Sequence, residues 1–318
     1  MAHLALSKLQ QMAIVLLVVS IIVFFGMRTL PGDPILLLIS NSQANEFTST
    51  QIEALRHEYG LDRPIVLQYL SWLSGVLQGD FGNSIYTHTP VIDEIGYRLT
   101  ITFEIGLIAI AIGSVLGIAL GIVSSVRRGS FVDQLVITLS NLGITVPIFW
   151  LGLILMLIFG LKLKWLPVMG YTPLLQDPIM HLKQIIMPVF CLLLFPMAAV
   201  TRQTRSSMLE VLHQDYIRTA WAKGLEQRTI IWRHALKNAL TPVITTIGLS
   251  VPMTVGGQVM VETVFNIPGM GRLLVSSVQS QDYAYVQAIV VIVAFTVVTA
   301  NTLADLAYGW ADPRINHR

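Results

Sequence analysis

The chain has 318 residues, of which 54% are hydrophobic and only 12% charged, with a mean hydropathy of +0.68. Soluble domains carry about 25% charged residues, so this composition excludes a water-soluble globule and implies a polytopic membrane protein. The net charge of +2 excludes little, because placement of charge matters more than its total in such a chain.

Six stretches supply the roughly 20 apolar residues that a helix needs to cross a hydrocarbon core about 30 Å thick. They are residues 9–27, 100–126, 135–161, 184–200, 240–261 and 283–307. The first follows Lys8 and resembles a secretory leader in position. It is too long for a signal h-region, and the "RTLPGDP" after it lacks a small-x-small cleavage pattern, so it reads as a retained first span. The third counts as one span. The fourth is the shortest and contains Pro188 and Pro196, which predicts a kinked helix. Gly113, Gly117 and Gly121 form a ladder in the second span, a pattern of close helix packing far more often than of ligand contact. The single cysteine, Cys191, allows no intrachain disulfide and reads as a small buried hydrophobe.

The positions of Lys and Arg orient the spans. With the N-terminus inside, the inner segments hold Lys8, Arg127, Arg128, Arg202, Arg205, Arg218, Lys223, Arg228, Arg233, Lys237, Arg314 and Arg318, twelve of the 20 basic residues. Of the 18 acidic residues, only Asp133, Glu210, Asp215, Glu226, Asp305 and Asp312 fall inside. An even number of spans then places both termini in the cytoplasm. The resulting divisions are 1–30 (cytoplasmic N-terminus and first span), 31–98 (external segment) and 99–318 (a five-span core with a cytoplasmic loop at 201–239).

Within the external segment the pattern predicts a helix near residues 50–59, a turn at "GLDRP" and an amphipathic helix at "IVLQYLSWLSGVL". The last has Val66, Tyr69, Leu70, Leu73 and Leu77 at helical spacing with Trp72 alongside, a composition suited to a membrane interface or a docking surface, or to a short packed helix. On the inner loop, Leu209, Leu212, Tyr216 and Ala220 fall on one face of a first helix. Gly224 supplies the left-handed residue that ends helices cheaply, and Glu226 starts a second helix with its charge near the positive dipole end. Pro242 fits the first turn of the next span. The prediction is two short helices at an angle.

Catalytic signatures are absent. No G-x-x-x-x-G-K-[ST], H-E-x-x-H, C-x-x-C or G-x-S-x-G occurs, and the seven histidines are scattered. No cofactor or metal site is expected. Glu104, Glu262 and Asp305 lie near span ends, where charged groups usually snorkel or cap rather than relay protons. The architecture is that of a transporter without its own engine.

Five stretches carry a family resemblance: "RTLPGDP", "VPIFWLGLILMLIFGLKLKWLP", "DYIRTAWAKGLEQRTIIWRHALKNALTPVI", "VMVETVFNIPGMGRLLVSSVQSQDYAYVQ" and the tail "ADLAYGWADPRI". Together they cover the chain almost end to end. It resembles the membrane permeases of ATP-binding-cassette importers in the dipeptide, oligopeptide and nickel branch, and in particular the first-listed permease of a pair. The inner loop is similar to the family's Glu-Ala-Ala loop, E-A-A-x-x-x-G with I-x-L-P farther on. Ala220, Gly224 and Leu236 match that pattern. Arg218, Thr219, His234 and Lys237 depart from it, in the manner of the peptide branch's "YxRTAxAKGL".

The resemblance implies an all-α, type I importer permease fold with six transmembrane helices, in the plasma (inner) membrane of a prokaryote. It implies a coupling helix, with Asp215, Tyr216, Arg218, Thr219, Ala220, Lys223, Gly224 and Leu225 as the loop that meets an ATPase. The partners implied are a second homologous permease, two cytoplasmic ATPases, an external substrate-binding protein and membrane lipid, with no nucleic acid and no chemistry in this chain. Peptides are the implied cargo, in a branch that also carries glutathione, nickel or metal chelates and sugar-like compounds. A secondary transporter would need midplane charges and two repeat halves, and an intramembrane enzyme would need catalytic residues; neither is visible. A non-transporting membrane scaffold is the remaining alternative.

Overall fold

The computed structural model describes residues 2–29, 32, 34–41 and 49–311, and every regular element in that range is a helix. In chain order they begin with α1 (Ala2–Thr29), α2 (Pro34–Asn41), α3 (Ser49–Glu58), α4 (Ile65–Leu77), α5 (Val91–Val126), α6 (Phe131–Thr145) and α7 (Ile148–Leu155). A π-helical turn (Met156–Lys162), α8 (Pro178–Leu212), α9 (Asp215–Ala222) and α10 (Gln227–Thr229) follow. A second π-helical turn (Ile230–Ala235), α11 (Leu236–Val264), α12 (Met270–Ser280) and α13 (Tyr283–Ala311) complete the order. Five helices are long and apolar enough to cross a membrane, or six if α6 and α7 form one bent span. The described residues fall into two compact units, one within 1–101 and 268–298 and the other within 102–267 and 299–318. The helices α5 and α13 each pass from one unit into the other.

In the first unit α1 is held by aromatic stacking. Phe24 meets Tyr69 edge-on with ring centroids 5.2 Å apart, and Trp72 at 5.5 Å. The Ser20 and Tyr69 hydroxyls share a hydrogen bond of 2.9 Å. The helix α4 coincides with the predicted amphipathic stretch, but its least exposed stripe runs through buried Tyr69 and half-buried Trp72, Leu73 and Val76. Val66, Leu70 and Leu77 of the expected stripe are exposed. The correction follows from partner shape: α1 offers flat rings, so the aromatic flank of α4 is the one that packs. The helix α5 begins at Val91, well before the apolar run, because Asp93 and Glu94 in its first turn favour the helix dipole and Glu94 pairs with Arg98. Its first turns join Met270, Leu273, Tyr285, Ala288 and Ile289 in one buried cluster around Val91 and Ile95. Ser84 donates to Asp282 (2.6 Å), and the Tyr86 hydroxyl donates to the Ser280 carbonyl (2.6 Å), tying the 83–90 turn to the entrance of α13.

The second unit is organised by α5 lying directly on α8. A Cβ on Gly113, Gly117 or Gly121 would come within 2.8, 2.7 and 2.8 Å of the Leu193, Met197 and Thr201 carbonyl oxygens. The ladder is thus an interface of backbone on backbone, as the spacing predicts. Pro178 at the first turn and Asp177, which accepts from the Ile179 and Met180 amides (3.1 and 3.0 Å), start α8. The helix runs uninterrupted through both Pro188 and Pro196 and on to Leu212, so it is just over twice as long as the apolar run alone suggests. Cys191 is buried within it, as expected.

The expected single span at 135–161 is two helices bent by 100°. Pro147 has no amide to continue the ladder and biases Val146 to extended backbone (φ −72°, ψ 125°), so α6 ends there. The break is hidden because the two arms taken together are apolar enough to count as one span, although α7 is much the more hydrophobic. At the start of α6, buried Asp133 accepts from Arg205 Nε and Nη2 (2.8 and 2.9 Å), from Ser124 and from the Gly129 amide. Arg205, counted above as an inner charge, is therefore the bidentate clamp between α8 and the α5–α6 turn.

Two predictions test this packing on the detergent-solubilised chain. Gly117→Ala should lower the thermal unfolding midpoint, whereas Gly256→Ala, a helical glycine with nothing within 4 Å of a new Cβ, should hold or raise it by the usual helix-propensity gain. Equal midpoints for the two variants would contradict the ladder. Asp133→Asn should also lower the midpoint, by an amount equivalent to about 2–4 kcal/mol for a partner removed from a largely buried pair. The Asp133→Asn/Arg205→Met double variant should lose less than the two single changes combined.

Candidate coupling loop

The expected inner loop is built differently from two short angled helices. The helix α8 carries Leu209 and Leu212 to its end, and a tight turn at His213–Gln214 then starts α9 as a separate element. After α9, α10 runs through the π-helical turn directly into α11, so the second predicted helix is the N-terminal end of the next apolar helix. Pro242 consequently lies inside α11 rather than in its first turn. Glu226 sits at the N-cap position of α10 as predicted, without a side-chain capping bond.

The fold of the loop follows from two inward residues of α9. Ile217 and Ala220, one turn apart, pack with Met208, Ile230, Ala235 and Ala239 in a small buried core, and full burial of Ile217 contributes about 2 kcal/mol. Ala220 meets two further alanines in that core, Ala235 and Ala239, and these small side chains let α9 approach its own neighbours. Asn238 donates to the Tyr216 hydroxyl (2.8 Å), a second tie from α9 to α11. The helix ends in a Schellman motif. The Gly224 amide donates to the Trp221 carbonyl (2.9 Å) and the Leu225 amide to the Ala220 carbonyl (3.3 Å), with Gly224 at φ +76°. Nothing lies within 4 Å of a Cβ placed there. The glycine is therefore required by backbone conformation and not by crowding.

The remaining candidate residues face outward. Asp215 and Arg218 form an exposed i,i+3 pair of 3.3 Å, while Tyr216, Thr219, Lys223, Gly224 and Leu225 are also exposed. The structure adds two residues that the motif comparison omits. Trp221 is 48% exposed and Trp232 57% exposed. Trp221 also lines a cleft of about 310 Å³ with Arg128, Leu209, Leu212 and Ile231. An indole surrounded by Arg218, Lys223 and Arg228 is a readable signal in the sequence, since Trp and Arg are the residue types that anchor interfaces.

The ionisable residues of the long apolar helices are more deeply embedded than a snorkelling or capping role predicts. Glu262 is buried and accepts from the Thr102 hydroxyl (2.6 Å). Glu104 accepts from the Tyr171 hydroxyl and lies 3.2 Å from Nε2 of buried His181, whose Nδ1 meets the Thr172 carbonyl at 2.8 Å. The turn preceding α8 covers Glu104, and α5 covers Glu262, so side-chain bonds replace contact with water. Gln258 donates to the Thr102 carbonyl (2.7 Å), continuing a buried polar stripe of Ser250, Thr254, Gln258 and Glu262 along α11. The Asp305 side chain, and the Asp312, Arg314 and Arg318 positions, lie outside the described residues. No group of three or more His, Cys, Asp or Glu that could hold a metal occurs among the described residues.

Comparison with known proteins is consistent from end to end. Residues 113–317 match the family described as binding-protein-dependent transport system inner membrane component, and residues 1–106 match the N-terminal family of the same transport-system membrane components. A putative peptide transport system permease protein of Brucella suis is 38% identical, covering 100% of both chains. The oligopeptide transport system permease protein AppB of Bacillus subtilis is 41% identical over 95% of this chain and 96% of its own. The di/tripeptide transport system permease protein DppB of Pseudomonas aeruginosa is 36% identical over 94% of each. The chain belongs to the family of binding-protein-dependent transport system inner membrane components, and it is a multi-pass permease subunit of an ABC importer.

Proposed function

We propose that this permease forms the translocation path for peptides, paired with a second homologous permease, and that α9 with the Gly224 turn is where a cytoplasmic ATPase drives it. The observation that carries the reading is the α9 surface. A short helix is fixed on one side by Ile217 and Ala220 and at its end by the Schellman turn, and it presents Tyr216, Arg218, Trp221 and Lys223 outward. An element that transmits force has to be rigid on its own chain and adhesive on the other side. Two ATPases closing on ATP would draw two such loops together and tilt the helices behind them, and hydrolysis would reverse the motion.

Both termini lie in the cytoplasm in this reading, and residues 31–98 lie outside, where they meet the external binding protein or the partner permease. The twelve basic residues of the inner segments support that orientation. The peptide cargo is supported by the names of the relatives, all peptide permeases in the three cases compared.

Gly224→Pro should abolish uptake of a radiolabelled dipeptide and release the ATPases on purification while the chain stays in the membrane. Proline cannot adopt φ +76° and lacks the amide that bonds Trp221. Trp221→Ala, which leaves the turn intact, should weaken ATPase co-purification by about tenfold or more, as loss of an interface anchor does. Normal transport in both variants would end the coupling reading. Deleting residues 50–60 should abolish uptake and leave the permease–ATPase complex assembled; unimpaired uptake would remove the external segment from the mechanism.

A further inference from the structure

The helix α6 carries a polar stripe on an exposed face. Gln134, Thr138, Asn141 and Thr145 recur at spacings of four, three and four residues, which sets them within about 60° of one another around the helix axis. All four are exposed. Leu135, Leu139 and Leu142 form an exposed apolar flank beside them, and buried Asp133, Val136 and Ser140 lie on the opposite side of the helix. The Thr145 hydroxyl donates to the Asn141 carbonyl of its own helix (3.1 Å). The side chains of Gln134, Thr138 and Asn141 have no hydrogen-bond partner among the described residues.

The depth of the stripe follows from the helix on which α6 packs. Asp133 meets Arg205 of α8 at 2.8 Å, and ten residues farther on a Cβ at Gly143 would lie 3.6 Å from the Leu194 Cβ. The two helices therefore run antiparallel over this length, and Thr138, Asn141 and Thr145 lie alongside residues 191–200, "CLLLFPMAAV". That neighbour is as apolar as the hydrocarbon core. An amide turned to lipid there would give up its bonds to water and gain none, which is why polar groups at such depth face protein or a water-filled cavity.

A facing helix would have to come close to satisfy these groups, and membrane helices approach through small residues. The smallest residues of α6, Ser140 and Gly143, lie off the stripe, and Gly143 is turned to α8. The stripe itself sets the long amides of Gln134 and Asn141 where a neighbouring backbone would need to be. Water and a passing solute satisfy them without close approach.

We propose that this face of α6 lines the water-filled path along which the solute crosses. Each amide side chain offers two N–H donors and a carbonyl acceptor, and each Thr hydroxyl serves as either, so the stripe complements a peptide main chain whatever its side chains. No charge lies on it, which keeps contact weak enough for release, as conduction requires. The inference rests on the reading above that this chain forms the translocation path, and it assigns that path to named residues.

The test places single cysteines in the complete importer complex in nanodiscs, on a Cys191→Ala background that retains trialanine uptake. Gln134→Cys, Thr138→Cys, Asn141→Cys and Thr145→Cys are compared with Leu135→Cys and Leu139→Cys for their rate of reaction with a charged, membrane-impermeant methanethiosulfonate. Rates are measured without nucleotide and with ATP and vanadate. In at least one state the stripe thiols should react about tenfold faster or more than the leucine positions, because lipid suppresses the thiolate and excludes the reagent. Modification of Asn141→Cys should then block trialanine uptake in proteoliposomes. Equal rates at all six positions, or undiminished uptake after full modification of Asn141→Cys, overturn the assignment. Stripe thiols that stay unreactive in both states and cross-link to the partner permease overturn it in favour of a helix contact. Trialanine uptake by the unmodified wild type separates the two readings: an unreactive stripe with intact uptake sinks only the stripe, whereas no uptake at all sinks the peptide reading.

Discussion

The second unit depends on one close approach, α5 against α8 with no α5 side chain at the three ladder contacts. Each glycine of the ladder faces a carbonyl oxygen or side chain of α8 at a distance that no Cβ tolerates. In lipid there is no hydrophobic gain from bringing two apolar helices together, so contact area and polar bonding have to supply the attraction. The glycines provide the area. The Asp133–Arg205 clamp and the Thr102–Glu262 bond provide polar ties from elements around the same helix pair. The helix α8 then packs on α11 and α6 and reaches Met208, the floor on which α9 sits. The loop that carries α9, the proposed coupling element, is thus referenced to the long apolar helices through rigid parts.

Much of this was legible in sequence, for identifiable reasons. Long apolar runs announce helices because the bilayer demands both length and hydrophobicity. The glycine ladder announced a close interface through spacing alone. Gly224 announced a helix end because only glycine takes the left-handed conformation without strain. The helix boundaries in the 50–77 region also followed from local pattern.

What escaped the sequence was tertiary. The break at Pro147 lay in a run apolar enough overall to count as one span, although the proline itself was present to be read. The buried stripe of α4 was set by the rings of α1, which are distant in sequence. Asp133 and Arg205 are 72 positions apart, so Arg205 looked like one more inner charge. Ala220 fits the family motif, but sequence could not say that its small side chain serves packing within this chain. Trp221 and Trp232 lie outside the motif positions, and their exposure on the folded loop is a tertiary property.

The Schellman turn has a further consequence. The angle at which α9 leaves α10 is fixed by main-chain bonds and by one residue without a side chain, whereas the outward surface is made wholly of side chains. Geometry and adhesion are therefore encoded in separate sets of atoms. In the proposed coupling role, outward residues could be exchanged to suit a different ATPase while α9 keeps its pitch.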